Sequence, residues 1–253
     1  MIDRPVALVT GASRGIGRAI ADDLITRGWL VAALARDADA LAALAADSPE
    51  SVLPLVADVT DSTAMAQAMA ALTAIWRTPD LVVANAGALT AVGPTWDADP
   101  DQWWHDMEVN VRGVFTTLRD VVPNMVGRGS GRVIIMSSGM GQFPSPWASA
   151  YGASKAAATH LASSVAAELA GTGVCVFAIS PGMVRTEMTQ WPDGLLAHRP
   201  DLATLPDSAF MPVSEATRLV AELAGGRFDA LSGRFIHVRD DREALLAAAG
   251  STS

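Results

Sequence analysis

Val6-Ala-Leu-Val-Thr10-Gly-Ala-Ser-Arg-Gly15-Ile-Gly17 decides how this chain folds. The apolar run suits a strand covered on both faces, and the glycine turn after it opens an amphipathic stretch over about 15–27. Strand, glycine turn and helix in that order form the first half of a βαβ unit. Outward from this stretch the alternation repeats almost end to end. Strand-like runs lie near 5–10, 29–35, 51–57, 80–84, 132–137, 174–179 and 233–238. Helical patterns lie near 15–27, 38–46, 61–76, 100–126, 150–170 and 213–224. Seven strands with helical crossovers predict an α/β fold, one domain over 1–253 with a doubly wound parallel sheet. Such sheets take ligands in the crevice beyond the carboxyl ends of their strands.

Composition narrows the function. Of 253 residues, 50% are apolar and 18% charged, which fits a globular protein with a substantial core. A net charge of −9 argues against nucleic acid, whose binding needs a basic footprint. Apolar stretches are interrupted well short of about 18 residues, so no membrane span is expected. The first residues lack the apolar core of a signal peptide, and a cytoplasmic location is expected. The four histidines, His105, His160, His198 and His237, form no ligand pair, so no metal is expected. The single cysteine, Cys175, cannot make an internal disulfide and is expected to pack in a buried strand.

Residues 185–212 break the rhythm. Pro192, Pro200, Pro206 and Pro212 exclude one regular helix, while Trp191 and Phe210 are too apolar for a plain solvent loop. This segment reads as a lid over a pocket. From Asp240 onward, Ala244–Ala249 reads as a short final helix.

The only tyrosine, Tyr151, stands four residues before the only lysine, Lys155, among 18 Lys and Arg residues. A helix through both stacks their side chains on one face. Arginine is a poor substitute there, because its fork is bulky and never gives up its charge. An ammonium beside a phenol stabilises the phenolate, so the Tyr151 pKa is expected to fall from about 10 toward the proton-transfer range.

The glycine turn serves a phosphate. Its glycines let the backbone approach a pyrophosphate, and the following helix terminus attracts the charge. The end of the second strand then selects the nicotinamide cofactor. Where an NAD site places a carboxylate for the ribose hydroxyl, this chain has Ala35 followed by Arg36, with Arg14 inside the turn. Two guanidinium groups and no acid suit a 2′-phosphate, so NADP(H) is expected over NAD(H). Asp37 comes too late for that role and is expected to cap the next helix.

Taken together, Thr10–Gly17, Asn85-Ala-Gly87, Asn110, Ser137-Ser138, Tyr151-x-x-x-Lys155 and Pro181-Gly182 resemble the short-chain dehydrogenase/reductase family, with order and spacing in agreement. The resemblance implies a Rossmann-type three-layer sandwich and hydride exchange between a carbonyl and a secondary alcohol. It makes Tyr151 the general acid and base, Lys155 its tuning partner and a ribose ligand, and Ser138 the holder of the substrate oxygen. Asn110 resembles the residue that keeps a relay water beside the lysine, and Ser137 points to the other strand face. For the cofactor it implies Gly11, Ser13, Arg14, Gly15, Ile16 and Gly17 at the phosphates and Arg36 at the ribose. Asp58 and Val59 belong to the adenine, and Asn85, Ala86 and Gly87 to the adenosine. Pro181, Gly182, Val184 and Thr186 resemble the nicotinamide clamp, joined by Tyr151 and Lys155. The chain departs from many relatives at Arg239-Asp240-Asp241, where they carry an acidic-Gly-Gly turn.

Leu89, Trp96, Met140, Phe143, Trp147, Met183, Met188, Trp191 and Phe210 are expected to line an apolar pocket for a hydrophobic ketone. Arg185 is the nearest candidate for an anionic substrate group. One rival is a 3-oxoacyl-thioester reductase whose acidic carrier meets Arg128 and Arg132. Another is a dinucleotide-binding protein without turnover, which has no need of the Ser138–Tyr151 pair. Alanine-rich faces on 100–126 and 150–170 are wider than one sheet covers, so a homodimer or homotetramer is expected.

Overall fold

The computed structural model describes residues 3–190 and 193–250. Seven strands, β1 (Val6–Thr10), β2 (Leu30–Ala35), β3 (Val52–Val56), β4 (Leu81–Ala84), β5 (Gly131–Met136), β6 (Val174–Ser180) and β7 (Phe235–His237), form one sheet in the order β3-β2-β1-β4-β5-β6-β7. Every pairing is parallel. The order reverses between β1 and β4, which opens a crevice at their carboxyl ends.

Helices cover both faces, so central strands are apolar throughout rather than alternating. On one side α3 (Ser62–Ile75), α5 (Gly113–Arg128) and α6 (Ser149–Glu168) bury Met65, Leu72, Val121, Met125, Ala158 and Ala162 against the sheet. On the other, α1 (Gly15–Thr26), α2 (Ala38–Asp47) and α8 (Val213–Ala224) bury Ile20, Leu24, Leu41, Leu44, Leu219 and Leu223.

Aspartates start the helices that begin in solvent. Asp37, Asp61 and Asp99 each accept a backbone N–H at the head of α2, α3 and α4 (Pro100–Met107). Asp61 thus caps α3 and leaves Asp58 for other work. Helix α1 differs, since Arg14 stands at its N-cap and makes no side-chain capping bond.

The expected continuous helix over 100–126 is interrupted. A π-helical turn over Glu108–Arg112 joins α4 to α5 and carries Asn110 with no exposed surface. Such turns add a residue to the helix and rotate one side chain inward. Cys175 is only partly buried, with its thiol 3.9 Å from the Asp229 carbonyl, where full burial was expected.

Residues 185–212 hold short helical turns at Glu187–Gln190, Pro200–Thr204 and Asp207–Ala209, with α7 (Asp193–His198) between them. The segment closes on itself. Met211 N–H donates to the Met183 carbonyl at 2.6 Å, and Val184 bridges Met211. The last element among the described residues is α9 (Arg242–Gly250). Among the described residues no helix is long and apolar enough to cross a membrane.

Candidate active site

The crevice between β1 and β4 is built by close backbone approach. Thr10 Oγ1 accepts the N–H groups of Asn85 and Ala86, both at 3.0 Å. Asn85 Nδ2 donates back to the Thr10 carbonyl at 3.0 Å. A Cβ on Gly17 would lie 2.2 Å from the Gly11 carbonyl oxygen and 2.4 Å from Asn85 Nδ2, so only glycine fits. The turn therefore brings Gly11, Ser13, Arg14, Gly15 and Ile16 to the head of α1, beside Asn85, Ala86 and Gly87.

Arg36 leaves the end of β2 beside Asp58, 3.5 Å from its carboxylate. Burial pushes the Asp58 carboxyl up, but the Thr60 amide and hydroxyl, with Arg36, outweigh it and hold it below the usual range. Val59 is buried next to it, against the position where Gly113 starts α5. Arg14, expected with Arg36 at the 2′-phosphate, pairs with Glu187 at the base of the 185–212 segment.

Tyr151 and Lys155 share a face of α6, as their spacing predicts. Lys155 Nζ lies 5.5 Å from the centre of the tyrosine ring and donates to the Met136 carbonyl at 2.9 Å. Lys155 is 4% exposed. Ser138, at the end of β5, accepts the Met140 N–H at 3.1 Å and reaches the Tyr151 phenol. Ser137 turns to the opposite side and bonds the Lys155 carbonyl and Thr159. Asn110 donates to the Ala88 carbonyl and to Ser154 Oγ, and accepts from the Ala88 N–H at 2.8 Å. A Cβ on Gly87 would fall 3.1 Å from Asn110 Oδ1 and 3.4 Å from Lys155 Nζ, so this glycine keeps the space beside the lysine. Pro181, Gly182, Val184 and Thr186 follow β6, and Thr186 faces Gly15 across the crevice.

One expectation is reversed. Burial pushes the Tyr151 phenol up to about 12, with Ser138 pulling it down and the Asp106 carboxylate adding to the rise. Burial also lowers the Lys155 ammonium to about 8, against the Asp106 carboxylate, which raises it. The loss of water dominates both shifts, offset in part by Ser138 at the phenol and by Asp106 at the ammonium. The phenol consequently keeps its proton at neutral pH.

Around this pair the predicted pocket residues scatter. Leu89 is buried, Met140, Trp147, Met183 and Phe210 are half-buried, and Met188 is exposed. Trp96 and Phe143 are 86% and 73% exposed, which places them at a rim rather than in a core. Trp191 lies outside the described residues. Trp147 adopts a positive φ of 67°, its carbonyl accepts the Gly93 N–H, and its ring stacks on His198 of α7 at 4.7 Å. For a non-glycine residue this backbone is strained, a feature that gathers at ligand clamps. Arg185 pairs with Asp207 and lies 3.9 Å over the Phe210 ring. Arg128 donates to the Thr78 and Pro79 carbonyls, and Arg132 pairs with Asp229.

The chain matches the family model for short chain dehydrogenase over residues 5–192. It belongs to the short-chain dehydrogenase family. Accordingly it is an oxidoreductase of alcohol and carbonyl groups. A probable NADP-dependent dehydrogenase of Haemophilus influenzae is 38% identical over 177 residues, 70% of each chain. A 2-dehydro-3-deoxy-L-rhamnonate dehydrogenase (NAD(+)) of a Sphingomonas species is 35% identical over 175 residues, 69% of this chain and 70% of that one. An actinorhodin polyketide ketoreductase solved with NADPH superposes with a TM-score of 0.85 at 29% identity, covering 93% of this chain and 96% of that one.

Sequence reasoning about this short-chain dehydrogenase missed two residues. Asp106 is fully buried beside the site, and Glu187 holds Arg14. Asp106 sits four residues before Asn110, a spacing that shares a helix face and that was the available signal.

Proposed function

We propose that this protein is an NADP(H)-dependent oxidoreductase interconverting a hydrophobic ketone and its secondary alcohol, with Tyr151 as general acid and base. The observation that carries this is the half-buried Tyr151 on one helix face with the buried Lys155, with Ser138 within reach of the phenol. In reduction, Ser138 and Tyr151 hydroxyls hold the carbonyl oxygen, and Tyr151 delivers its proton as negative charge develops there. The Lys155 ammonium, held by the Met136 carbonyl, offsets the phenolate left behind. In oxidation the phenolate takes the alcohol proton instead. Asn110 fixes Ala88 and Ser154 beside the lysine, so the proton path borders a rigid wall.

Bound in the crevice, a reduced nicotinamide dinucleotide supplies the hydride, which no side chain of this protein can provide. The residues fit that group: α1 begins without a capping side chain, and Gly11 and Gly15 turn with positive φ. Gly11, Ser13, Gly15, Ile16 and Gly17 would hold the pyrophosphate, with Arg14 and Arg36 at the 2′-phosphate. Asp58 and Val59 would hold the adenine, and Asn85, Ala86 and Gly87 its ribose. Lys155, Pro181, Gly182, Val184 and Thr186 would hold the nicotinamide half. The NADP preference is supported by Ala35-Arg36 and by the NADP-named relative. Apolar and aromatic side chains at the rim support a hydrophobic substrate. The same reading includes a single-domain cytoplasmic enzyme, and exposed Trp104 and Phe115 on α4 and α5 support a homo-oligomer.

A panel of ketones assayed with NADPH and NADH tests this. Turnover of apolar ketones with NADPH preferred is expected, and Ala35→Asp with Arg36→Ala should move the preference toward NADH. No turnover of any ketone with either cofactor would remove the assignment.

A further inference from the structure

Asp106 has no exposed surface, yet among the described residues no basic side chain forms an ion pair with it. Its carboxylate accepts the Thr90 N–H at 2.9 and 3.0 Å, the Thr90 hydroxyl at 2.8 Å and the Ala91 N–H at 3.1 Å. Those donors are neutral. A buried carboxylate is expensive unless some positive charge offsets it. An asparagine or serine could have met part of the same hydrogen-bonding demand without that expense. Lys155 presents the mirror image, a buried ammonium whose hydrogen-bond acceptor, the Met136 carbonyl, is also neutral.

Helix α4 packs on α6, and residues 87–91 run between the two charges: Asp106 holds Thr90 and Ala91 at one end, and a Cβ on Gly87 at the other would stand 3.4 Å from Lys155 Nζ. The Asp106 carboxylate accordingly raises both the Lys155 ammonium and the Tyr151 phenol. His160 and Glu168 lie farther along α6 and are exposed, and residues 88–94 contain no ionisable side chain. His105, next to Asp106 on α4, is half-buried. Two opposite buried charges therefore flank residues 87–91, and among the described residues neither takes part in an ion pair.

We propose that Asp106 is a positioning residue, serving as the fixed counter-charge of Lys155 and as the anchor of the wall at Thr90 and Ala91. Its carboxylate works against the loss of water that would strip the lysine of its proton. Through Thr90 and Ala91 it also sets the segment carrying Leu89, one turn of helix away from where Asn110 fixes Ala88. The role rests on the reading of Tyr151 and Lys155 as the proton-handling pair.

The composition offers a direct test, because one lysine gives one resonance. Lysine labelled with 13C at Cε reports the Lys155 titration alone. Asp106→Asn should move its midpoint to lower pH by about one unit, roughly tenfold in the ammonium-to-amine ratio. Asp106→Glu, which keeps the charge, should restore much of that shift. Thr90→Val removes one hydrogen bond and leaves the charge, so the midpoint should stay put. An unmoved midpoint in Asp106→Asn overturns the proposal, as does an equal shift in Thr90→Val. If Asp106→Asn does not fold, Asp106→Asn with Lys155→Met should fold, because no unbalanced charge remains. A double variant no more stable than the sum of its parts also overturns it. A shifted resonance in a protein that reduces no ketone would leave the counter-charge standing and remove the ketone reductase reading instead.

Discussion

Two segments leave the carboxyl edge of the sheet and frame the site, and they are held by opposite means. After β4, residues 85–91 are tied down by Thr10, Asn110 and Asp106, all buried. After β6, residues 185–212 lean on Arg14–Glu187, Arg185–Asp207 and Arg199–Asp201, all partly or largely exposed. Buried hydrogen bonds are costly to break because the abandoned partner stays dry, whereas surface pairs are worth about 0–1 kcal/mol. The first segment can hold atoms in register for proton transfer. The second is held by contacts that water can replace at little cost.

Substitutions can break or sharpen this contrast. Tyr151→Phe, on the rigid side, should lower ketone reduction by about 10²–10⁴-fold with an unchanged melting temperature. A variant that kept its rate would end the general-acid assignment. Gly17→Ala forces a methyl group into the Gly11 carbonyl and should destabilise the fold by about 1–3 kcal/mol, read by denaturant unfolding.

The pH dependence comes next. Tyr151 keeps its proton to about 12, whereas Lys155 is depressed to about 8. The lysine thus loses its charge first as pH rises, so reduction should be level through neutrality and fall about tenfold per unit above about 8. A descending limb that begins only near 10 would mean that the ammonium is better solvated than its burial implies. Smallest of all, Glu187→Gln on the soft side should change unfolding stability by less than about 1 kcal/mol. Its effect should appear as a lower KM for NADPH with kcat unaltered, because Arg14 is released.

Much of this was legible beforehand. The strand pattern was visible because parallel strands covered on both faces read as unbroken apolar runs. Asp37 read correctly as a cap, since capping depends on a few neighbouring residues. Tyr151 and Lys155 are joined by helical spacing, which sequence displays directly. Their ionisation was not legible, because the cost of burial depends on what packs around α6 and no local pattern records it. The π-helical turn at Glu108–Arg112 escaped for the same reason, as helix-forming residues accommodate both windings. The contact of Arg14 with Glu187 was not legible either, because it needs two segments 173 positions apart to come together.

Met183 and Met211 join the two feet of the 185–212 excursion by a single short backbone bond. Everything between Thr186 and Met211 is therefore an exchangeable cassette whose length the sheet never registers. Closing a longer loop adds only a logarithmic penalty in chain entropy, about 0.6 kcal/mol per doubling. Grafting a different cassette between Thr186 and Met211, with Val184 and Thr186 kept beside the cofactor crevice, is thus a route to new substrates that leaves the hydrogen-transfer machinery in place.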